Sequence, residues 1–324
     1  MPAFWQPFFI VNQKSEILMV HEIIVQLVLY HDGHYLSGLI ESLKAQSFKN
    51  FHVVALDNSS DDTAAKKFKA LWPDGELFRT GKNLGYAGGH SFLIERTLHS
   101  GAPFVVVLNT DVQLHPDFLS ELYARMKNNH ELDACGPLIL EGKGASKSNI
   151  VQNYRLFMDF TRARKFSPDA GKCFNGDEEL PFFARTDYLS GVAFMIRTRV
   201  LRDISFFDPT LFMYGEERDF FYRFSKLGCK AGVLRNAVCW HFHDWSSQSK
   251  EGYQREYYYL KRNKVLYFKK YRLSGGLISF LIKELVSLPF TAFWMFRKGG
   301  LKMLKFYVLA LWHGLKGRSG QGPL

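Results

Sequence analysis

The segment Phe104–Val112, FVVVLNTDV, constrains the fold more than any other part of the chain. Val105, Val106, Val107 and Leu108 form an unbroken apolar run, with Pro103 before it and His115-Pro116 after it. A strand with one wet face alternates in polarity, so an unbroken run predicts a central strand covered by helices on both faces. The run stops at Asn109, Thr110 and Asp111, at the carboxyl edge where open sheets of this kind bind ligands. From this segment alone two readings stay open. Asn109 and Asp111 form an Asx-type turn, or Asp111 is a ligand for a Mg²⁺ or Mn²⁺ ion carrying a diphosphate.

Neighbouring segments repeat the alternation. EIIVQLVLY (22–30) and FHVVALD (51–57) read as strands, with a helix near 34–46 between them. A helix opened by Asp61-Asp62-Thr63 follows, since acidic and hydroxyl residues favour a helix start. Then come a glycine-rich loop at 81–89, helices near 90–99 and 116–129, and a strand at 133–140. This order predicts an α/β fold with a parallel, doubly wound sheet. Residues 141–183, rich in Gly, Ser, Asn and Lys, read as a long mobile loop. A strand at 191–197, a helix from about 215 to 227 and short strands to His241 complete a main domain over 21–250. Residues 1–20 read as an N-terminal docking extension: MPAFWQPFFIV is apolar, but it lacks a basic n-region and contains Pro2 and Pro7. The four cysteines show no CxxC spacing, which argues against zinc and for a reducing compartment.

Charge separates the tail from the body. The chain carries a formal +11, and residues 251–324, with 14 Lys/Arg and 3 Asp/Glu, account for all of it. A basic tail on a neutral body predicts an anionic surface as partner. LISFLIKELVSLPFTAFWMF (277–296) is long enough to span a bilayer, but Lys283, Glu284 and Pro289 interrupt it. LKMLKFYVLALWHGL (301–315) sets Lys302, Lys305 and Trp312 around apolar stripes. The expectation is peripheral membrane contact through 277–315. Packing on the body or on another chain, including a homo-oligomer, is the alternative. No nucleic-acid partner is expected, because apolar aromatics dominate the tail.

Residues suited to chemistry gather at the predicted strand ends. Asp57 closes the second strand as Asp111 follows its own, while Tyr30 and His31 end the first, where an aromatic ring can stack on a base. GKNLGYAGGH (81–90) places Lys82, Asn83, Gly85, Gly88 and Gly89 before a helix, where close backbone approach to a phosphate is one reading and a plain turn the other. Glu216, Glu217 and Asp219 occupy the first turn of a helix with an apolar interior, a placement suited to a general base or simply to the helix dipole. His241 and His243 fall on one face of a strand, and imidazole with Asp111 makes a donor set for Mn²⁺ or a similar ion.

In order and spacing, LVLYH, ALDNSSDDT, KNLGYAGG, VLNTDV, GVAFMIRTRVLRDISFFDPTLFMYGEERDFFYR, AVCWHFH and YYYLKRN resemble the family 2 inverting glycosyltransferases of GT-A fold, especially their rhamnosyltransferase-like branch. The resemblance covers roughly residues 23–265. It implies a Rossmann-like, mostly parallel central sheet flanked by helices, with a C-terminal helical appendage over 251–324. It implies transfer of a hexosyl or rhamnosyl group from a nucleotide-diphospho-sugar to a glycan or lipid-linked acceptor in cell-surface polysaccharide synthesis. The setting implied is the cytoplasmic face of the cell membrane. By resemblance, Tyr30 and Asp57 hold the base, and Asn83, Gly85, Gly88 and Asn109 line the donor site. Asp111 binds a Mn or Mg ion with His241 as a further ligand, and Glu217 is the acceptor base. Two positions depart from the family pattern. Glu216-Glu217-Arg218-Asp219 stands where Glu-Asp-x-Asp is usual, leaving Asp219 as a second candidate base, and Asn109 replaces the first carboxylate of DxD. A non-catalytic sugar-nucleotide-binding or scaffold protein, or a nucleotidyltransferase, is the alternative function.

Overall fold

In a computed structural model of the chain, residues 21–31, 33–144, 146–176, 180–242 and 250–323 are described; the N-terminal extension and His243 lie outside them. The alternation read from the sequence is realised as β1 (Ile23–Leu29), α1 (Gly33–Lys44), β2 (Phe51–Asp57), α2 (Thr63–Leu71), β3 (Glu76–Arg79), α3 (Gly85–His99), β4 (Phe104–Leu108), β5 (Val112–Leu114) and α4 (Phe118–Asn128). There follow β6 (Ala134–Lys143), β7 (Ser146–Asn153), β8 (Phe157–Asp159), β9 (Arg164–Phe166), β10 (Phe183–Thr186), β11 (Ala193–Arg197), α5 (Thr198–Asp203), α6 (Glu216–Lys226) and β12 (Ala231–His241). The chain ends in α7 (Lys250–Lys270) and α8 (Ser274–Lys316).

The strand order is β10-β12-β6-β11-β4-β1-β2-β3, with β5 beside β12 and β7 beside β6. Strands β3, β2, β1 and β4 are parallel neighbours. Strand β11 runs against both β4 and β6, and β12 is parallel to β6, so six of these eight strands share one direction. The run at β4 is fully buried and takes part in both cores, Val106 and Leu108 facing α1 and α4, Val105 and Val107 the layer with α5 and α6. Each such side chain contributes roughly 1.5–3 kcal/mol on burial. Cys135 and Cys239 serve as small core residues, and burial pushes the Cys135 thiol up to about 12.

Two expectations are corrected here. The stretch 141–183 is not one loop: it contains the β6–β7 hairpin, the β8–β9 hairpin and the start of the path to β10. Strand β7 (SKSNIVQN) lies at an edge with only Val151 buried, so pairing rather than an apolar period holds it. The glycine-rich loop is also largely helix, since α3 begins at Gly85.

The appendage is fastened to the body at its base. Arg262 and Asn263 of α7 are buried; Arg262 Nη2 and Asn263 Nδ2 donate to Leu211 O at 3.0 and 2.9 Å, and Asn263 also donates to Met213 O and Tyr214 O. That loop contains Phe212 and Tyr214 at positive φ (67° and 64°), a costly backbone for non-glycine residues that these bonds hold in place. A straight helix of α8's length would extend roughly 65 Å. Instead, positions near both ends, Gly276 and Gly314, close on α7 at Phe268 and Val265. Met295 and Met303 meet in one cluster, so α8 doubles back between them. Of the charges interrupting its first half, the buried Glu284 is accounted for by pairing: it accepts from Lys261 at 2.7 Å and Tyr307 at 2.6 Å.

Candidate active site

Parallel register brings the sequence-predicted residues to one edge. Leu29 lies beside Asp57 and Leu27 beside Leu108, so Tyr30, Asp57 and Asn109 leave the sheet together. Asp57 is buried; its Oδ1 accepts from Ser59 N at 2.9 Å and its Oδ2 lies 3.1 Å from Arg79 Nε. Tyr30 is exposed, its ring edge-on to His31 at 4.8 Å.

The predicted glycines are packed closely against neighbouring segments. Gly85 has φ +72° and lies against Phe212, whose carbonyl accepts from Ala87 N at 3.1 Å; a Cβ at Gly85 would collide with that carbonyl. Gly88 packs on Leu84 and Pro209. Asn83 Oδ1 accepts from Gly85 N at 2.8 Å, closing the turn that starts α3. Asn58, absent from the sequence reading, donates to Gly85 O at 3.0 Å and accepts from Leu84 N at 3.3 Å. Asn83, Gly85 and Gly88 therefore shape the wall between β2 and the 211–214 loop.

Asp111 and His241 meet. Phe242 N donates to Asp111 O at 2.8 Å, and His241 Nε2 lies 3.3 Å from Asp111 Oδ1. The other ring nitrogen, Nδ1, is 2.8 Å from Gln152 Oε1 on β7. With Gln152 accepting, Nδ1 carries a proton and Nε2 is aimed at the carboxylate, the orientation that outer partners impose on metal-ligating histidines. Asn109 Oδ1 is buried nearby in sequence with no hydrogen-bond partner among the described residues. A carboxylate, an imidazole and an orphaned amide oxygen fit a divalent ion that takes its remaining ligands from phosphate and water. Among the described residues, no group of three or more His, Cys, Asp or Glu is placed to hold a metal ion.

The second cluster lies across Gly191. Gly215 (φ +90°) opens α6 and puts Glu216 and Glu217 in its first turn. Glu217 lies over Gly191, where an added Cβ would collide with Oε1, and close to the Tyr188 hydroxyl, whose pKa burial and then Glu217 push up. Glu216 is buried, with Oε2 unpartnered among the described residues. Burial and then the charge of Glu217 push its pKa well up, so Glu216 favours its protonated form. Tyr86 ties the halves together: its hydroxyl donates to Gly191 O at 2.6 Å, and it feels Glu217, Glu216 and Asp111. Asp219, the second candidate base, is fully engaged elsewhere. It accepts from Arg223 at 3.0 Å, Lys270 at 2.7 Å and Tyr271 at 2.8 Å, and clamps α6 to α7. Gly191→Ala is expected to displace Glu217 and lower kcat by roughly 10–100-fold with donor KM little changed, as steady-state kinetics would read it.

Gln152, Tyr86, Tyr188, Gly191 and Asn263 escaped the sequence reading, because each acts through a contact distant along the chain. Of these, Tyr86, Gly191 and Asn263 fell in segments already singled out, KNLGYAGG, GVAFMIR and YYYLKRN.

The fold and this edge define a glycosyltransferase of GT-A type. The sequence profile of glycosyl transferase family 2 matches residues 25–204, more than half of the chain, and the chain belongs to that family. It is 27% identical over 229 residues to the N-acetylglucosaminyl-diphospho-decaprenol L-rhamnosyltransferase of Mycobacterium tuberculosis, covering 67% of this chain and 75% of the relative. Among solved structures, GalNAc-T7 with UDP, GalNAc and Mn²⁺ superposes with a TM-score of 0.57 at 16% identity over 70% of this chain, which spans only 44% of that one. S. aureus TarS 1–349 superposes with a TM-score of 0.53 at 16% identity, over 92% of this chain and 81% of that one. At these identities the two structures speak to the fold.

Proposed function

We propose that the chain transfers a hexosyl or rhamnosyl group, with inversion, from a nucleotide-diphospho-sugar to a hydroxyl of a lipid-linked glycan at the cytoplasmic membrane face, in cell-surface polysaccharide synthesis. The observation that carries this reading is the pairing of Asp111 with His241 and the closeness of both Asp111 and Glu217 to Tyr86. The acceptor class is supported by the mycobacterial relative, whose name specifies a diphospho-decaprenol acceptor.

In this reading Tyr30 stacks on the donor's base and Asp57, steadied by Arg79, accepts from it. Asp111 and His241 hold a divalent ion on the diphosphate, and that ion, when bound, offsets the charge developing on the leaving group. Glu217 takes the proton of the attacking hydroxyl, which displaces the nucleoside diphosphate from the opposite face in one step. A single base suffices, and no second carboxylate is needed as a nucleophile.

The test is a panel of nucleotide-sugars with Mn²⁺ or Mg²⁺ and a lipid-linked acceptor, read as release of nucleoside diphosphate. Release that depends on metal and acceptor is expected. Release of inorganic diphosphate instead would make the chain a nucleotidyltransferase, and silence across the panel with retained nucleotide binding would make it a binding protein.

A further inference from the structure

Outside the strand edge, a cleft of about 660 Å³ opens between α7, the first half of α8 and the β8–β9 hairpin. Seven basic side chains line it against two carboxylates. Some of that charge is already spent: Lys261 is held by Glu284, and Arg162 lies 3.1 Å from Asp159. Arg218, Lys264, Lys283 and Arg164 are not so matched. Arg218 is the telling one. Its Nε and Nη2 are shut off from solvent with no hydrogen-bond partner among the described residues, and the guanidinium rests over the Tyr267 ring at 5.2 Å. Burial lowers its pKa, and burial together with Arg218 and Lys261 brings Lys264 down to about 8. Buried cations that repel one another are costly unless an anion joins them.

We propose that this cleft seats the diphosphate head of the lipid-linked acceptor, with Arg218 and Lys264 at its floor and Arg164 and Lys283 at its mouth. The inference rests on the lipid-linked reading of the acceptor given above. Several converging cations, one of them a planar guanidinium, suit a multiply charged phosphate better than a lone carboxylate. The volume exceeds that of a single ion and admits a sugar diphosphate. Position fits as well: Arg218 and Glu217 both act on the Tyr188 hydroxyl, so the cleft's floor and the base have a common neighbour. The lipid has a path too: Leu260 and Phe280 line the cleft, and the α8 wall continues into Ile278, Ile282, Leu285, Val286, Phe290 and Phe293, all 56–81% exposed. An apolar helix face beside lysines is suited to lie in a membrane interface.

The test uses the full chain and two variants, Lys264→Gln and Arg164→Gln, with circular dichroism to confirm folding and Asp111→Ala as a control. Calorimetry with inorganic diphosphate in the absence of divalent metal reads the site directly. Binding is expected in the wild type and in Asp111→Ala, and about ten-fold weaker in either cleft variant. In kinetics with a sugar-diphospho-lipid in phosphatidylcholine vesicles, the cleft variants are expected to raise acceptor KM about ten-fold and leave donor KM unchanged. Diphosphate binding that follows Asp111 and ignores Lys264 and Arg164 would overturn the proposal. So would cleft variants that lose affinity for phosphatidylglycerol vesicles while acceptor KM stays put, which would make the cleft a general anionic-lipid contact. If the wild type transfers nothing to lipid-linked acceptors yet binds diphosphate through Lys264, the acceptor reading fails and the anion site stands.

Discussion

Replacing Glu217 by Gln is expected to lower kcat for glycosyl transfer by about 10²–10⁴-fold while donor affinity and melting temperature stay near wild type. The substitution is isosteric. The amide side chain would still fill the space over Gly191, so the wall of the site keeps its shape. What disappears is a negative charge able to take a proton. Glu216 cannot stand in: it is buried, and its pKa is pushed well up, so it favours its protonated form. Asp219 cannot either, because three donors hold it against α7. Glu217→Asp should retain measurable turnover, since the resembled family carries Asp at this position; the shorter arm then costs reach and not chemistry. The check is steady-state kinetics of all three proteins with donor binding measured separately. Full turnover by Glu217→Gln would remove the base from this residue.

What was legible in the sequence was local and periodic. The unbroken Val105–Leu108 run marked a doubly covered strand because burial on both faces leaves no reason to alternate. The strand-end residues Asp57, Asn109 and Asp111 then followed, because a parallel sheet collects its carboxyl ends on one side. The glycines showed their turn, with Gly85 at φ +72°, but not the packing that keeps Gly85, Gly88 and Gly89 small against Phe212, Pro209 and Val28. Strand β7 was invisible because an exposed edge strand carries no apolar rhythm, yet it supplies Gln152 to His241. The tail's charge was legible as a sum but not in its parts: buried Arg262 donates to backbone carbonyls, Lys270 binds Asp219, and Lys264 with Arg218 forms the cleft. Pairings across 50 residues or more follow from topology, and no window of sequence contains them.

Asp111→Ala is expected to abolish transfer, with kcat/KM down at least about 10²–10³-fold, and unlike Glu217→Gln it should weaken donor binding too. The reason lies in what Asp111 faces. With Gln152 Oε1 accepting from Nδ1, His241 turns Nε2 toward the Asp111 carboxylate at 3.3 Å. A nitrogen lone pair and a carboxylate oxygen at that distance repel unless a proton or a cation joins them. A divalent ion held there would grip the donor's diphosphate, so loss of the carboxylate removes ground-state and transition-state contacts together. A turn-forming role predicts something else, because Asp111→Asn would preserve an Asx turn. The discriminating measurement is the metal titration of activity. Gln152→Ala leaves both ligands in place and frees only the imidazole's far side. It should raise the metal concentration needed for half-maximal rate by about 10–100-fold, while saturating metal restores kcat. A structural Asp111 would leave that titration where it is in the wild type, and Asp111→Asn would then remain active.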